Sequence, residues 1–297
     1  MNYTELANQV TARLVSQIET NPDGSWSMPW HRAPHVLDVR NAATDKPYRG
    51  VNVIALASTS IEHDYPTSIY ATYRQWSTLG GQVRRGEKAA QVIRWVTPKN
   101  KDQAAAPADG AETLGGRRLV PVVFSVFNAA QVDNWTPATS AEGDISRDES
   151  ADAFITATGA DINHGHNHAA YHPGRDRIEL PNAEQFHSTQ ALYATTLHEL
   201  VHWTGHQSRL DRDLSGRFGD HAYAAEELVA ELGAAIACAA LGIEPEPRAD
   251  HAHYLAHWLQ ILNDDPKALF ATTTKAQAAV DHLATYQNAD QVEAVAS

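Results

Sequence analysis

The segment TTLHELVHWTGHQSRL, Thr195 to Leu210, places His198 and His202 four residues apart, with Glu199 beside the first. On a helix that spacing puts both imidazoles on one face, where they can reach a single cation. Glu199 adjoins the first ligand without being one, so it is placed to take a proton from water at the cation. This is the HExxH arrangement of zinc hydrolases, and the chemistry it points to is carbonyl hydrolysis, most simply of a peptide. Leu197, Leu200, Val201 and Trp203 predict a helix embedded in a core from Thr195 to Thr204, ended by Gly205. Buried histidines need partners, and a cation supplies them.

A third ligand has to come from another element. The run AYAAEELVAELGAAIACAA carries Glu226, Glu227 and Glu231 on an otherwise apolar helix, and acids are rarely buried unless paired or ligating. Glu227 and Glu231 are four apart and share a face. One can bind metal while the other holds a ligating imidazole in its tautomer. Glu227 is the favoured ligand and Glu231 the supporting residue, with Glu226 or Glu231 as alternative ligands. The set suits one divalent ion, zinc by ligand type, with Mn2+ or another divalent ion as the alternative. Tyr223 and His206 are candidates for stabilising an oxyanion. A second group, His164, His166, His168 and His172, has no acid or cysteine at ligand spacing and reads as a solvated loop. His251, His253 and His257 read as the surface of a helix whose core stripe holds Trp258, Leu259 and Leu262.

The elements that must position these residues divide the chain in two. TPATSAEGDISRDES, Thr136 to Ser150, lacks periodic apolar pattern and reads as a linker after residue 136, leaving domains at 1–136 and 151–297. The formal charge of -13 is split unevenly: residues 1–136 are near +2 and residues 137–297 near -15. Only the first half could meet a polyanion. There, RQWSTLGGQVRRGEKAAQVIRW holds four arginines and Lys88 against the single acid Glu87. Arg74, Arg84, Arg85 and Lys88 would track phosphates, and Trp76 would stack on unpaired bases, as single-strand binding requires. The fold class is α+β. Helices are expected over YTELANQVTARLVSQIE and SIYATYRQWSTLGG, followed by Val/Ile-rich strands interrupted by a long hairpin loop from Pro98 to Gly116. In the second half, a helix at ESADAFITATGA precedes a hairpin at AAYHPGRDRIELP, and helices follow to the end.

The lone Cys238 excludes an intramolecular disulfide and a Cys-rich metal knuckle. No stretch approaches the roughly 18 apolar residues of a membrane span, and a reducing cytoplasm is the expected location. Nothing resembles the carboxylate cluster of a two-metal nuclease.

Several stretches together, NAATDKPYRGVN, YRQWSTLGGQVRRGEKA, VFNAAQV, TTLHELVHWTGHQSRLDR, AAEELVAELGAA and HYLAHWLQILNDDPKALF, resemble the ArdC family of plasmid antirestriction proteins over nearly the whole chain. The resemblance implies an N-terminal single-stranded-DNA-binding domain and a C-terminal, mainly helical, zincin-like metallopeptidase domain. It implies His198 and His202 as ligands and Glu199 as base, and it supports Glu227. It also implies single-stranded DNA as a partner and protection of incoming plasmid DNA from host restriction during conjugation; a protein component of the host restriction system is a further candidate partner, and the lack of an apolar span leaves no membrane partner expected. The competing expectation is a DNA-shielding protein whose metal is structural and which hydrolyses no peptide.

Overall fold

The computed structural model describes residues 2–19, 34–98, 112–114, 117–136, 147–215, 221–244 and 251–296. Helix α1, Tyr3–Glu19, starts with a reciprocal cap. Asn2 Oδ1 accepts the Glu5 N–H at 2.8 Å, and the Glu5 carboxylate accepts the Asn2 N–H at 2.9 Å. Its buried residues Leu6, Val10, Leu14 and Ile18 recur every fourth position and form one apolar stripe. After the short strand β1, Arg40–Asn41, Gly50 opens helix α2, Val51–Glu62, at φ 58°, a left-handed conformation that a side chain would strain.

The stretch expected as one helix after α2 is divided. Strand β2, Ile69–Ala71, comes first, and Thr72 then caps the short helix α3, Tyr73–Thr78, in a capping box with Gln75. Strands β3, Gln82–Val83, β4, Ala90–Val96, β5, Glu112–Leu114, β6, Arg117–Asn128, and β7, Val132–Asp133, complete this half. The long β6 organises the main sheet, ordered β1-β2-β6-β4 with β5 also on β6. It pairs antiparallel with β4 from Ala90↔Val126 to Val96↔Val120, so β4 and β6 form the expected hairpin across the long connection. Of that connection, residues 99–111 and 115–116 lie outside the described residues.

The predicted linker also lies mostly outside them, at 137–146, while Arg147–Ser150 already belong to helix α4, Arg147–Ala157. A three-stranded sheet follows: β8, Asp161–His164, β9, Ala170–His172, and β10, Arg177–Leu180, in the order β8-β10-β9. The β9–β10 pair is the expected antiparallel hairpin, and β9 is a sheet edge. Helices α5, Thr189–Thr204, α6, His221–Leu241, α7, His251–Asp264, and α8, Ala268–Ala296, complete the chain. Helix α5 begins six residues before the predicted start because the Ser188 hydroxyl caps it, accepting the Ala191 N–H at 2.9 Å. No helix among the described residues is long and apolar enough to cross a membrane.

The two halves share a hydrophobic core. Leu6, Leu14, Ile54 and Leu56 from the first lie in one cluster with Val201, Leu228, Leu232, Trp258 and Phe270 from the second. Polar ties reinforce it: Gln277 Oε1 accepts the Gly50 N–H at 3.0 Å, Pro266 O accepts the Thr11 hydroxyl at 2.8 Å, and Arg49 pairs with Asp281. A second cluster holds Ile178, Leu180, Leu197, Leu200, Trp203 and Ile236. Helix α5 therefore lies between two cores, with Val201 facing one and Leu197, Leu200 and Trp203 the other.

Helix α6 approaches α5 closely at Gly233, where an added Cβ would fall 2.8 Å from Val201 Cγ2. Gly233→Ala should therefore lower unfolding free energy by about 1–3 kcal/mol through overpacking. Denaturant titration of Gly233→Ala, Val201→Ala and the double variant measures it, and a double variant whose losses simply add would show that the two residues do not meet.

Candidate metal centre and nucleic-acid surface

The close α5–α6 crossing aims the start of α6 at the HExxH face of α5. Glu227 Oε2 lies 3.5 Å from His198 Nε2, and Glu227 Oε1 lies 3.4 Å from His202 Nε2. The imidazoles are 4.9 Å apart between centroids. His198, His202 and Glu227 each turn one ligand atom into a space where all three lie within 4.8 Å of one another. Among the described residues this is the one group of three or more ligand-type side chains that converges so. His198 is 4% exposed, and neither of its ring nitrogens has a hydrogen-bond partner. A buried polar ring left so is costly, and a cation at Nε2 would satisfy it. The donor set and the orphaned nitrogen together fit a divalent ion.

His202 is held from behind. Its Nδ1 lies 3.2 Å from Glu226 Oε1, and Glu226 is itself gripped by Arg212, with Nη2 at 2.8 Å from Oε1 and Nε at 3.1 Å from Oε2. The Arg212 side chain is 6% exposed and also donates to Thr204 Oγ1 and to the Val201 carbonyl, both on α5. With Nδ1 donating to Glu226, His202 presents the Nε2 lone pair to the centre. The supporting place assigned to Glu231 from the sequence is thus held by Glu226 at His202, and His198 Nδ1 receives no carboxylate. Glu231, one turn beyond Glu227 on α6, is buried near Cys238, whose thiol is pushed up to about 12 by burial and then by that carboxylate.

Burial alone would depress the His202 pKa, but hydrogen bonds to Glu226 and Glu227 outweigh it and raise it to about 10. Burial would likewise raise the Glu227 carboxyl, yet His198 and His202 bring it below the usual carboxylate range. A proton on the imidazoles thus occupies the electrostatic place that a cation would take.

A cleft of about 410 Å³ opens on this cluster, lined by Glu199, Tyr223, Asp213 and His168 and, along one wall, by Ala169, Ala170 and Tyr171. Glu199 is buried beside His198. Of the two oxyanion candidates, Tyr223 reaches the cleft, whereas His206 lies beyond the end of α5 against Ser208. The wall is the edge strand β9, and Arg209 fixes it to α5. The Arg209 guanidinium stacks 3.7 Å from the Trp203 ring centroid, donates to Trp203 O and pairs with Asp176, which accepts the Tyr171 hydroxyl at 2.8 Å. The second histidine group does not assemble a site: His166 and His172 share Glu179, at 3.3 and 3.1 Å. Arg212 and Arg209 were missed from sequence because a buried arginine in QSRLDR looks like any other charge.

On the N-terminal half, Arg74, Arg84, Arg85 and Lys88 are all exposed. Arg84 is engaged with Glu87 at 2.9 Å and Asp133 at 3.4 Å, while Arg74, Arg85 and Lys88 have no ion pair among the described residues. Trp76 corrects the expectation that it stacks on bases. It is 0% exposed, its indole N–H donates to Phe127 O at 2.9 Å, and its ring meets Trp135 edge to face. The indole belongs to a small core with Ala71, Val83 and Val132. Beside these cations Tyr73 is an exposed aromatic, at 54%.

Residues 4–127 match the family model of the N-terminal domain of anti-restriction factor ArdC, and residues 149–275 match that of a zincin-like metallopeptidase. Two crystal structures of the antirestriction ArdC protein from plasmid R388, one Mn(II)-bound and one metal-free, align with TM-scores of 0.75 and 0.74. Both are 36% identical, covering 95% of this chain and 97% of theirs. An uncharacterized protein of Sinorhizobium fredii, y4eC, is 39% identical over 96% of this chain and 93% of its own. A DNA primase TraC from Escherichia coli is 38% identical over 94% of this chain, which spans 27% of that primase.

Glu226→Gln, which weakens the grip on His202 without touching the three convergent side chains, should lower divalent-metal affinity roughly 10- to 100-fold. His198→Ala should lower it further. Competition with a chromophoric chelator measures both, and wild-type affinity in Glu226→Gln would show that Glu226 does not set the imidazole.

Proposed function

We infer the function from two premises: the chain belongs to the ArdC family of antirestriction proteins, and its second half carries a buried two-histidine, one-glutamate cluster open to a cleft. The reading these support best is an antirestriction protein with two working parts. The first half binds single-stranded DNA, and the second holds one divalent ion in a peptidase-type site. Protection of incoming plasmid DNA from restriction during conjugation is the resulting role.

The observation that carries the catalytic half is the convergence of His198, His202 and Glu227 beside Glu199, with a strand edge along the same cleft. His198, His202 and Glu227 would hold the ion. Zinc suits this donor set, and the R388 relative was crystallised with Mn(II). When bound, the ion would supply Lewis acidity and lower the pKa of water at the site. The remaining work falls to the chain. An extended peptide would pair with the edge of β9, which brings its carbonyl across the cleft. Glu199 accepts the proton of the attacking water and returns it to the departing amide nitrogen as the C–N bond breaks. Tyr223, on the cleft wall, is the side chain placed to donate to the developing oxyanion. A component of the host restriction machinery is the class of substrate that this role implies.

A second reading rests on the position of α5 between the two cores. There a bound ion would brace α5 against α6, and DNA shielding alone would give protection.

Plasmid transfer into restricting recipients, with wild type and Glu199→Gln at matched expression and metal content, separates the readings. Loss of protection in Glu199→Gln is expected, with metal affinity and melting temperature retained. Full protection by that variant would overturn the hydrolytic reading and leave the bracing one.

A further inference from the structure

Away from the metal cleft, a shallow pocket on the N-terminal half is bounded by Tyr73, Gln82, Arg84, Arg85, Phe127 and Asp133. We propose that this pocket is a subsite for one unpaired nucleobase, with the Tyr73 ring as its stacking surface. The proposal rests on the single-stranded-DNA reading above and gives it a place.

Three observations carry it. Tyr73 is a large aromatic left more than half exposed, and it is held in that state. It opens α3 directly after the Thr72–Gln75 capping box, so its backbone is fixed. Its hydroxyl accepts a hydrogen bond from Gln82 Nε2 at 3.1 Å, and its ring meets Phe127 edge to face at 6.4 Å. A preset aromatic with an open face loses little entropy when a base stacks on it, and every base offers such a face only when unpaired.

Charge is the second observation. Arg84 is paired with both Glu87 and Asp133, so its charge is more than offset and the floor of the pocket carries no spare positive charge. A phosphate gains little there, whereas a neutral heterocycle fits. The third is Arg85 at the rim, which has no ion pair among the described residues, as is also true of the nearby Arg74 and Lys88. Base inward and phosphate outward is the arrangement this distribution favours. The burial of Trp76 strengthens the assignment, because it removes the indole as the alternative platform.

The test is fluorescence anisotropy of the full chain with a labelled single-stranded oligonucleotide, the same strand with abasic positions, and the corresponding duplex. Tyr73→Ala should weaken binding to the normal strand about 10-fold, the size of one lost stack. It should then no longer distinguish normal from abasic strand, as wild type does. Tyr73→Trp should restore the discrimination, and Trp76→Phe, in the core, should keep it. Arg85→Glu should weaken binding to both strands and reduce the salt dependence. Unchanged discrimination in a folded Tyr73→Ala, together with weakened Arg85→Glu, would overturn the subsite while the DNA reading stands. Absence of single-strand binding by wild type would overturn both.

Discussion

The burial of Glu227 between two imidazoles is the interaction on which the second half depends. An ionised carboxylate taken out of water costs several kcal/mol unless charge and hydrogen bonds are returned to it. Here Glu226, Glu231 and Glu199 lie on the same pair of helices, so the local excess of negative charge has to be offset. Arg212 does so for Glu226, and for Glu227 the partner is a proton or a cation among His198, His202 and its own oxygens. Such compensation works only at short range. The helices must therefore cross closely, which is what the absence of a Cβ at Gly233 permits against Val201.

That crossing has a consequence beyond the centre. Val201 sits within the HExxH segment and belongs to the same apolar cluster as Leu6 and Leu56, far earlier in the chain. Leu197 and Leu200, on other faces of α5, pack into the second cluster beneath the β10 strand. A helix packed against two cores has few ways to move, which gives its metal-binding face the fixed geometry it needs. The same packing ties the first half to the second, with Gly50 to Gln277 and Thr11 to Pro266 as polar fastenings.

How much of this was legible in the sequence depended on how local each feature is. His198, Glu199 and His202 could be read together because helical spacing alone aligns them. Glu227 could be singled out because an acid on an apolar helix needs a reason to be there. The grip of Arg212 on Glu226 could not, since it depends on where α6 crosses α5 and how the chain after Gly205 folds back. Trp76 fails for a related reason. A tryptophan among arginines has the composition of a stacking site, but burial is decided by β6 and β7, distant in sequence. Helix boundaries slipped where caps decided them, at Thr72 and Ser188.

The division of charge between the halves also bears on what each can bind. The second half carries the net negative charge, and its cleft is lined by Glu199, Glu226, Glu227 and Asp213. A nucleic acid entering that cleft would meet Glu199 and Asp213 in addition to the paired Glu226 and Glu227. A peptide would carry no such penalty and would meet a strand edge along the wall, fixed by the Arg209 clamp on Asp176 and Tyr171. The first half is near neutral overall. A polyanion held there would depend less on charge than on stacking, a mode of binding that discriminates single strands from duplex without reading their sequence. On the proposed function, the electrostatics would direct the two ligand classes to opposite halves of the chain.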